Sequence, residues 1–333
     1  MADEFHRRTR TEIEAAEDAA LSPAATRAAD CRGRPEPEPP DEFRTPFERD
    51  RDRILHAKAF RRIKHKTQVF INPDGDHFVT RLTHTLQVTQ IGRAMARYLG
   101  LNEPLTEAIC LGHDVGHSPF GHTGEDALTP YVDGEWHHAA QSVRVLQVLE
   151  PLNLTWETED GIRGHSWKID PPPATPEGML CRFADRIAYL THDVEDAVRA
   201  GVITHADLPE RPCRVFGEPG SEWIGTMIRA VVDGSIAAGT VSMDAEVLST
   251  MHELRDFMFE RVYLRPEAES QRRRAIHIIR SLVDWYLEHP DEIPDTYRHD
   301  PADVTTQVID YVSGMTDRFA IREYDRLFRP DYD

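Results

Sequence analysis

Apolar residues recur along most of this chain at three- and four-residue spacing, and alternation at two-residue spacing is nearly absent. That period belongs to amphipathic helices rather than half-buried strands. Residues 1–20 read as a short charged helix. From Leu21 to about Phe43 the chain is Pro-rich and poor in large apolar residues, which predicts a mobile or extended linker. Regular structure begins near Thr45-Pro46-Phe47, and Ile54, Leu55, Phe60 and Ile63 fit a helix. Asn72 to Asp76 is turn chemistry, with short extended pieces expected only near Val69–Ile71. Leu82, Leu86, Ile91, Met95 and Tyr98 form a helix stripe that places His84 near its start and ends at Gly100. Leu105, Ala108, Ile109 and Leu111 make a short buried helix that delivers His113-Asp114. After Asp170-Pro-Pro-Pro173, a strong helix runs from Glu177 to Ala200 on the face of Phe183, Ile187, Leu190 and Val194. Further helices are predicted over 222–232, 244–260, 268–288 and 301–320. The fold class is all-α: an N-terminal helical segment (1–20), a linker (21–43) and one large domain over 44–330.

Composition narrows the setting. The 333 residues can bury a large core, and no apolar run approaches the ~20 residues that span a bilayer. The N-terminus lacks the apolar stretch of a secretory signal. Cys31, Cys110, Cys181 and Cys213 are widely spaced and read as free thiols of a cytoplasmic protein. A net charge of −19 disfavours a general nucleic-acid or anionic-membrane binder. Between Arg49 and Lys66 the trend reverses: eight basic residues stand against two acidic ones, a local charge of +6. Such an island suits a small polyanion, or else a solvated basic helix face.

The chemistry concentrates in one region. Nine of the 17 histidines fall between His56 and His138. The thirteen residues from His113 to Glu125 place His113, Asp114, His117, His122 and Glu125 among three glycines (Gly116, Gly121 and Gly124) and a proline. Imidazole and carboxylate are ordinary ligands of a divalent metal, and glycines let backbone and substrate approach closely. On the helix from Glu177, Asp185, Tyr189 and Asp193 repeat at i, i+4 and i+8, with Arg186 alongside. Asp185 opposite His84 and His113-Asp114 would complete two imidazoles and two carboxylates around one ion. A set without thiolate suits Mn, Fe, Co, Ni or Mg more than structural zinc.

The spacing His84, His113-Asp114, Asp185 resembles the HD-domain metal-dependent phosphohydrolases. The blocks Arg49-Asp-Arg-Asp-Arg-Ile54, Ala59-Phe-Arg-Arg62, Lys66-Thr-Gln-Val-Phe70, Gly75-Asp-His77, Arg81-Leu-Thr-His84, His113-Asp-Val-Gly-His117-Ser-Pro-Phe-Gly-His122, Ala184-Asp-Arg-Ile-Ala-Tyr189, His192-Asp193 and Gly314-Met-Thr-Asp-Arg318 resemble the deoxyguanosinetriphosphate triphosphohydrolase-like (dGTPase/dNTPase) family. The likeness spans roughly residues 40–325.

That resemblance implies an HD-type helical fold with additional C-terminal helices. It implies His84, His113, Asp114 and Asp185 as metal ligands, with manganese the favoured added activator. It implies His122 beside the α-phosphate, Glu125 orienting it, and His117 and His138 as further active-site histidines. Arg81 and Arg186 match phosphate-contacting positions, while Tyr189 and Asp193 match residues beneath the sugar. Gln68 matches a residue that reads the 3′-OH. Arg255 matches one that reaches the triphosphate, eight positions before Tyr263, a further substrate contact. Where the family has Asn after His138, this chain has Ala139. The expected partners are a dNTP substrate, an allosteric dNTP and further copies of the chain, with no membrane. The chain is nevertheless short beside members that use extra elements for allosteric binding.

The chemistry fits the residues on its own terms. A bound metal lowers the pKa of water from about 15.7 toward ~7–9, which answers the poor nucleophilicity of water at neutral pH. A histidine titrating near its usual ~6.5 is suited to protonate O5′ as it leaves. The expected products are a deoxynucleoside and tripolyphosphate. Two other readings stand beside this one. One is an HD phosphohydrolase acting on nucleoside monophosphates, cyclic nucleotides or alarmones. The other is a nucleotide sensor or single-stranded nucleic-acid binder that keeps the fold without turnover.

Overall fold

A computed structural model describes residues 7–68, 78–298 and 301–329. Among these the chain forms sixteen α-helices, and the β-type pairing is an isolated antiparallel bridge between Thr67 and Thr80. The extended piece expected at Val69–Ile71, the turn after it and His77 lie outside the described residues. The first helices are α1 (Arg10–Ala20), α2 (Pro46–His56), α3 (Lys58–Arg62), α4 (Arg81–Leu99) and α5 (Glu103–Gly112). Three short helices follow, α6 (His122–Leu128), α7 (His138–Arg144) and α8 (Trp156–Gly164), and then the long α9 (Pro176–Arg199). The C-terminal part holds α10 (Glu210–Phe216), α11 (Ser221–Ala238), α12 (Ala245–Met258), α13 (Pro266–Glu288), α14 (Asp295–Arg298), α15 (Val304–Ser313) and α16 (Asp317–Phe328).

Local chemistry sets the helix ends. Thr80 caps α4 by accepting from Thr83 N, and Gly100 closes it with φ 64°, a conformation that costs glycine little. Asn102 caps α5, and Thr175 with Pro176 starts α9. The predicted 301–320 helix is two helices. α15 ends at Ser313, and Thr316 starts α16 by accepting from Phe319 N. The α4 stripe also shifts: Leu86 and Tyr98 are exposed, while Arg81, His84, Thr85, Val88, Ile91 and Met95 are buried. α4 thus turns polar residues inward along with its apolar ones, which a purely apolar reading of the stripe misses.

α4, α5 and α9 cross at the centre of the larger core. The approach is close: a Cβ at Gly92 would lie 2.8 Å from Cys110 Sγ. A second core joins α13, α15 and α16 to Phe120, Leu128 and Trp136. The Pro-rich stretch after α1 is extended but pinned. Ala25 and Ala28 enter the larger core, buried Glu177 accepts from Thr26 N at 3.0 Å and Asn102 N at 2.9 Å, and Arg34 pairs with the fully buried Asp50. Much of the basic island is likewise structural. Arg49 and Arg53 pair with Glu38 at 3.0 and 2.7 Å, and Arg51 pairs with Asp52 at 2.8 Å. No described helix is long and apolar enough to cross a membrane.

Candidate active site

Helix ends converge on one point. His84 comes from the first turn of α4, His113 and Asp114 follow α5, and Asp185 lies on α9. His84 Nε2 is 3.0 Å from Asp185 Oδ1 and 3.9 Å from Asp114 Oδ2. His113 Nε2 is 3.4 Å from Asp114 Oδ2 and 4.0 Å from Asp185 Oδ1. His113 Nδ1 donates to the Cys110 carbonyl at 2.7 Å, so its Nε2 faces the cluster, buried and without a hydrogen-bond partner among the described residues. An imidazole whose outer nitrogen is fixed by a carbonyl and whose inner nitrogen is orphaned fits a metal ligand. Burial would raise Asp114, but His113 and Arg81 beside it hold it well below the usual carboxylate range. Burial would lower His113, but Asp114 and Asp185 outweigh it and raise the ring to about 9. A cation at this point would displace that proton, because metal ligands bind deprotonated.

A second group of imidazoles adjoins the first. His122 opens α6 and is exposed to solvent, His138 opens α7, and His117 lies between them, fully buried. His117 and His138 stack with centroids 4.4 Å apart, and neither ring nitrogen of His117 has a partner among the described residues. Desolvation lowers both His117 and His122. Glu125 was expected to orient His122. Its hydrogen bonds among the described residues go instead to His138, from the backbone N at 3.0 Å and from Nδ1 at 2.5 Å. The reason is local: Glu125 lies one turn inside α6, where its carboxylate meets the free N-terminal amide of α7. The pairing outweighs the effect of burial on both groups, lowering Glu125 to about 2 and raising His138.

The remaining expected residues spread around this pair of clusters. Arg81 is buried one turn before His84 and donates to Asp114 Oδ2 at 2.5 Å and to the Thr67 carbonyl at 3.0 Å, so it braces a candidate ligand. Arg186 stacks over Trp167 at 4.1 Å with Nη1 3.2 Å from His252 Nε2. Burial and then the charge of nearby Arg255 are among the causes that lower its pKa. Arg255 packs over Phe259 at 5.0 Å. Tyr189 is half-buried, and desolvation raises its phenol to about 12. Asp193 is buried, burial raises it to about 8, and it accepts from Tyr263 Oη at 2.6 Å. One of its oxygens, expected to face a sugar, is therefore already engaged. Gln68 is half-buried, with its amide oxygen unpartnered among the described residues.

Sequence reasoning passed over His165. It closes α8 as His113 closes α5: Nδ1 donates to the carbonyl three residues back, Ile162, at 2.7 Å, and Nε2 lies 3.0 Å from His138 Nε2. In the sequence it is one of several histidines that follow a glycine, Gly164-His165 as in Gly112-His113, and nothing else there sets it apart. His113, Asp114 and His165 also offer ligand atoms within 4.8 Å of one another.

Residues 81–190, which hold all four candidate ligands, match the HD domain, and residues 241–326 match the phosphohydrolase-associated domain. A deoxyguanosinetriphosphate triphosphohydrolase-like protein of Caldanaerobacter subterraneus subsp. tengcongensis is 44% identical, covering 93% of this chain and 93% of its own length. The chain belongs to this family. Two further deoxyguanosinetriphosphate triphosphohydrolase-like proteins agree. That of Clostridium perfringens (strain 13 / Type A) is 41% identical over 97% of this chain and 98% of its own, and that of Desulfatibacillum aliphaticivorans is 43% identical over 93% and 95%. Family membership places the chain among HD-domain hydrolases, with His/Asp groups able to bind a metal.

Proposed function

We propose that this protein hydrolyses deoxynucleoside triphosphates, dGTP or several dNTPs, to a deoxynucleoside and tripolyphosphate. The observation that carries the reading is the convergence of His84, His113, Asp114 and Asp185, with orphaned His113 Nε2, beside solvent-facing His122. These four residues would hold a divalent ion, Mn, Fe, Co, Ni or Mg, with Mn the favoured activator. When bound, it supplies Lewis acidity and a hydroxide-like water at neutral pH.

The chain's own groups do the rest. Arg81 keeps Asp114 ionised and oriented. His138, whose protonated form Glu125 favours, would put positive charge beside the reacting phosphate. His122 gives its proton to O5′. Its pKa is pulled down by desolvation in the free protein, and the negative charge of a triphosphate beside it favours the protonated ring again. His117 completes the imidazole wall. Arg186 and Arg255, whose like charges face each other, gain a common counterion in the triphosphate. Tyr189 covers the sugar face on which a 2′-hydroxyl would project, and Gln68 and the Asp193–Tyr263 pair meet the 3′-OH. The protein would act on the cytoplasmic nucleotide pool.

The test is Asp114→Ala. We expect it to lose bound manganese and turnover together while keeping its helical circular dichroism. Unchanged metal content by elemental analysis would remove the assigned ligand set.

A further inference from the structure

The loop that carries His122 lies between the two cores, and one buried carboxylate from the C-terminal helices is bonded to it. Asp317, the first residue of α16 and part of Gly314-Met-Thr-Asp-Arg318, is 7% exposed. Its Oδ1 accepts from Phe120 N at 3.0 Å. Its Oδ2 accepts from Thr67 N at 2.8 Å and from the Thr67 hydroxyl. Each contact begins a short route to the candidate site. Phe120 is two residues before His122. The Thr67 carbonyl accepts from Arg81, which donates in turn to Asp114. Beside Asp317, buried Lys66 donates to the His117 carbonyl and, at 3.0 Å, to the Ser313 carbonyl.

The loop needs such a hold. Phe120 sits at φ 62°, in the left-handed region that a residue with a Cβ enters at a cost, and its ring is anchored in the second core. A conformation of that kind persists only where the surroundings impose it. Three donors converge on Asp317, so a carboxylate satisfies all of them. An amide of the same shape would turn an NH2 group toward another donor.

We propose that Asp317 is a positioning residue: it clamps Phe120 and Thr67 together, fixing the His122 loop and the Arg81–Asp114 arm in one register. The C-terminal helices would thus form part of the active-site scaffold. The catalytic consequence rests on the hydrolase reading above, whereas the clamp itself does not.

The experiment is Asp317→Asn in the full chain, read by hydrogen–deuterium exchange and by steady-state kinetics on dGTP with manganese. Exchange should accelerate about tenfold or more in the peptide spanning residues 115–125 or in that spanning 64–68, because the Asn side chain keeps a single acceptor oxygen and leaves either the Phe120 amide or the Thr67 amide without one. kcat should fall by about 10- to 100-fold with KM within about threefold and bound manganese unchanged, the pattern of a misplaced acid rather than a lost ligand. Unchanged exchange in both peptides overturns the clamp. Accelerated exchange with kcat within about twofold overturns the positioning role. If the wild-type protein hydrolyses no dNTP but the loop still loosens in the variant, the clamp stands and the functional reading fails. If Asp317→Asn does not fold, Thr67→Val removes only the hydroxyl arm. It should accelerate exchange at residues 64–68, Thr67→Ser should restore it, and no change in Thr67→Val overturns the proposal.

Discussion

Glu125 and His138 are partners that the sequence showed separately and the structure joined. Their pairing makes stability depend on pH in a definite direction. Glu125 falls from an ordinary 4.5 to about 2, so its contribution is present above 4.5 and lost as pH falls toward 2. His138 rises from 6.5, so its contribution is present below 6.5 and lost as pH climbs through the raised value. In metal-free protein, the melting-temperature gap between wild type and Glu125→Gln should therefore be widest between pH 4.5 and 6.5 and shrink on either side. A gap that does not vary with pH would show that the pair is not ionised as described. His122, which no described hydrogen bond ties to Glu125, carries a separate expectation. His122→Ala should keep bound metal and KM while kcat falls by about 100-fold or more, the scale of lost general-acid chemistry. An effect confined to KM would make it a binding residue. The four candidate ligands, which the structure brings together, stand out in the sequence because two imidazoles and two carboxylates recur at spacings that helices can join. His165 was not, because one histidine after a glycine has no distinguishing type or spacing until α8 is seen to end where α5 ends.

Among the elements, the site depends on where helices stop and start. His113 and His165 close α5 and α8, and His122 and His138 open α6 and α7. Backbone therefore approaches backbone at the centre, and Gly116 marks a tight crossing against α7. A Cβ there would lie 2.2 Å from Ser142 N and 2.4 Å from the Gln141 carbonyl carbon, both main-chain atoms of α7 that no rotamer change can move. Gly116→Ala should cost about 1–3 kcal/mol or more of stability and push His117 off its stack with His138, lowering kcat. A thermal melt and a dGTP assay check both, and wild-type values in each would mean that α7 yields easily. Long helices such as α4 and α9 were plain from their period and caps. The extension of the Pro-rich stretch follows from its proline content, whereas its anchors are partners far along the chain that composition does not register: Glu177 for Thr26, Asp50 for Arg34 and Glu157 for Arg32 N at 2.8 Å. The break inside 301–320 turned on one capping hydroxyl, Thr316, which the apolar pattern does not register.

At the scale of the whole molecule, a chain with net charge −19 gathers imidazoles, carboxylates and Arg81 at one point, which on the proposed reading would receive an anionic substrate. The basic island contributes less to that site than its composition suggested, because Arg49, Arg51 and Arg53 are paired with acids of the scaffold. On the proposed reading, attraction for a triphosphate would fall instead to Arg186, Arg255 and the histidines on helix ends. The larger core supplies the candidate ligands from α4, α5 and α9, while the second core holds Phe120 from the loop before His122. The measurement that bears most directly on this account is a product analysis with manganese, using the purified 333-residue chain and dGTP or GTP. The account predicts deoxyguanosine and intact tripolyphosphate in equal amounts from dGTP, with GTP largely refused because Tyr189 crowds the 2′ position. Release of orthophosphate or pyrophosphate with dGDP or dGMP, or equal cleavage of GTP, would contradict it.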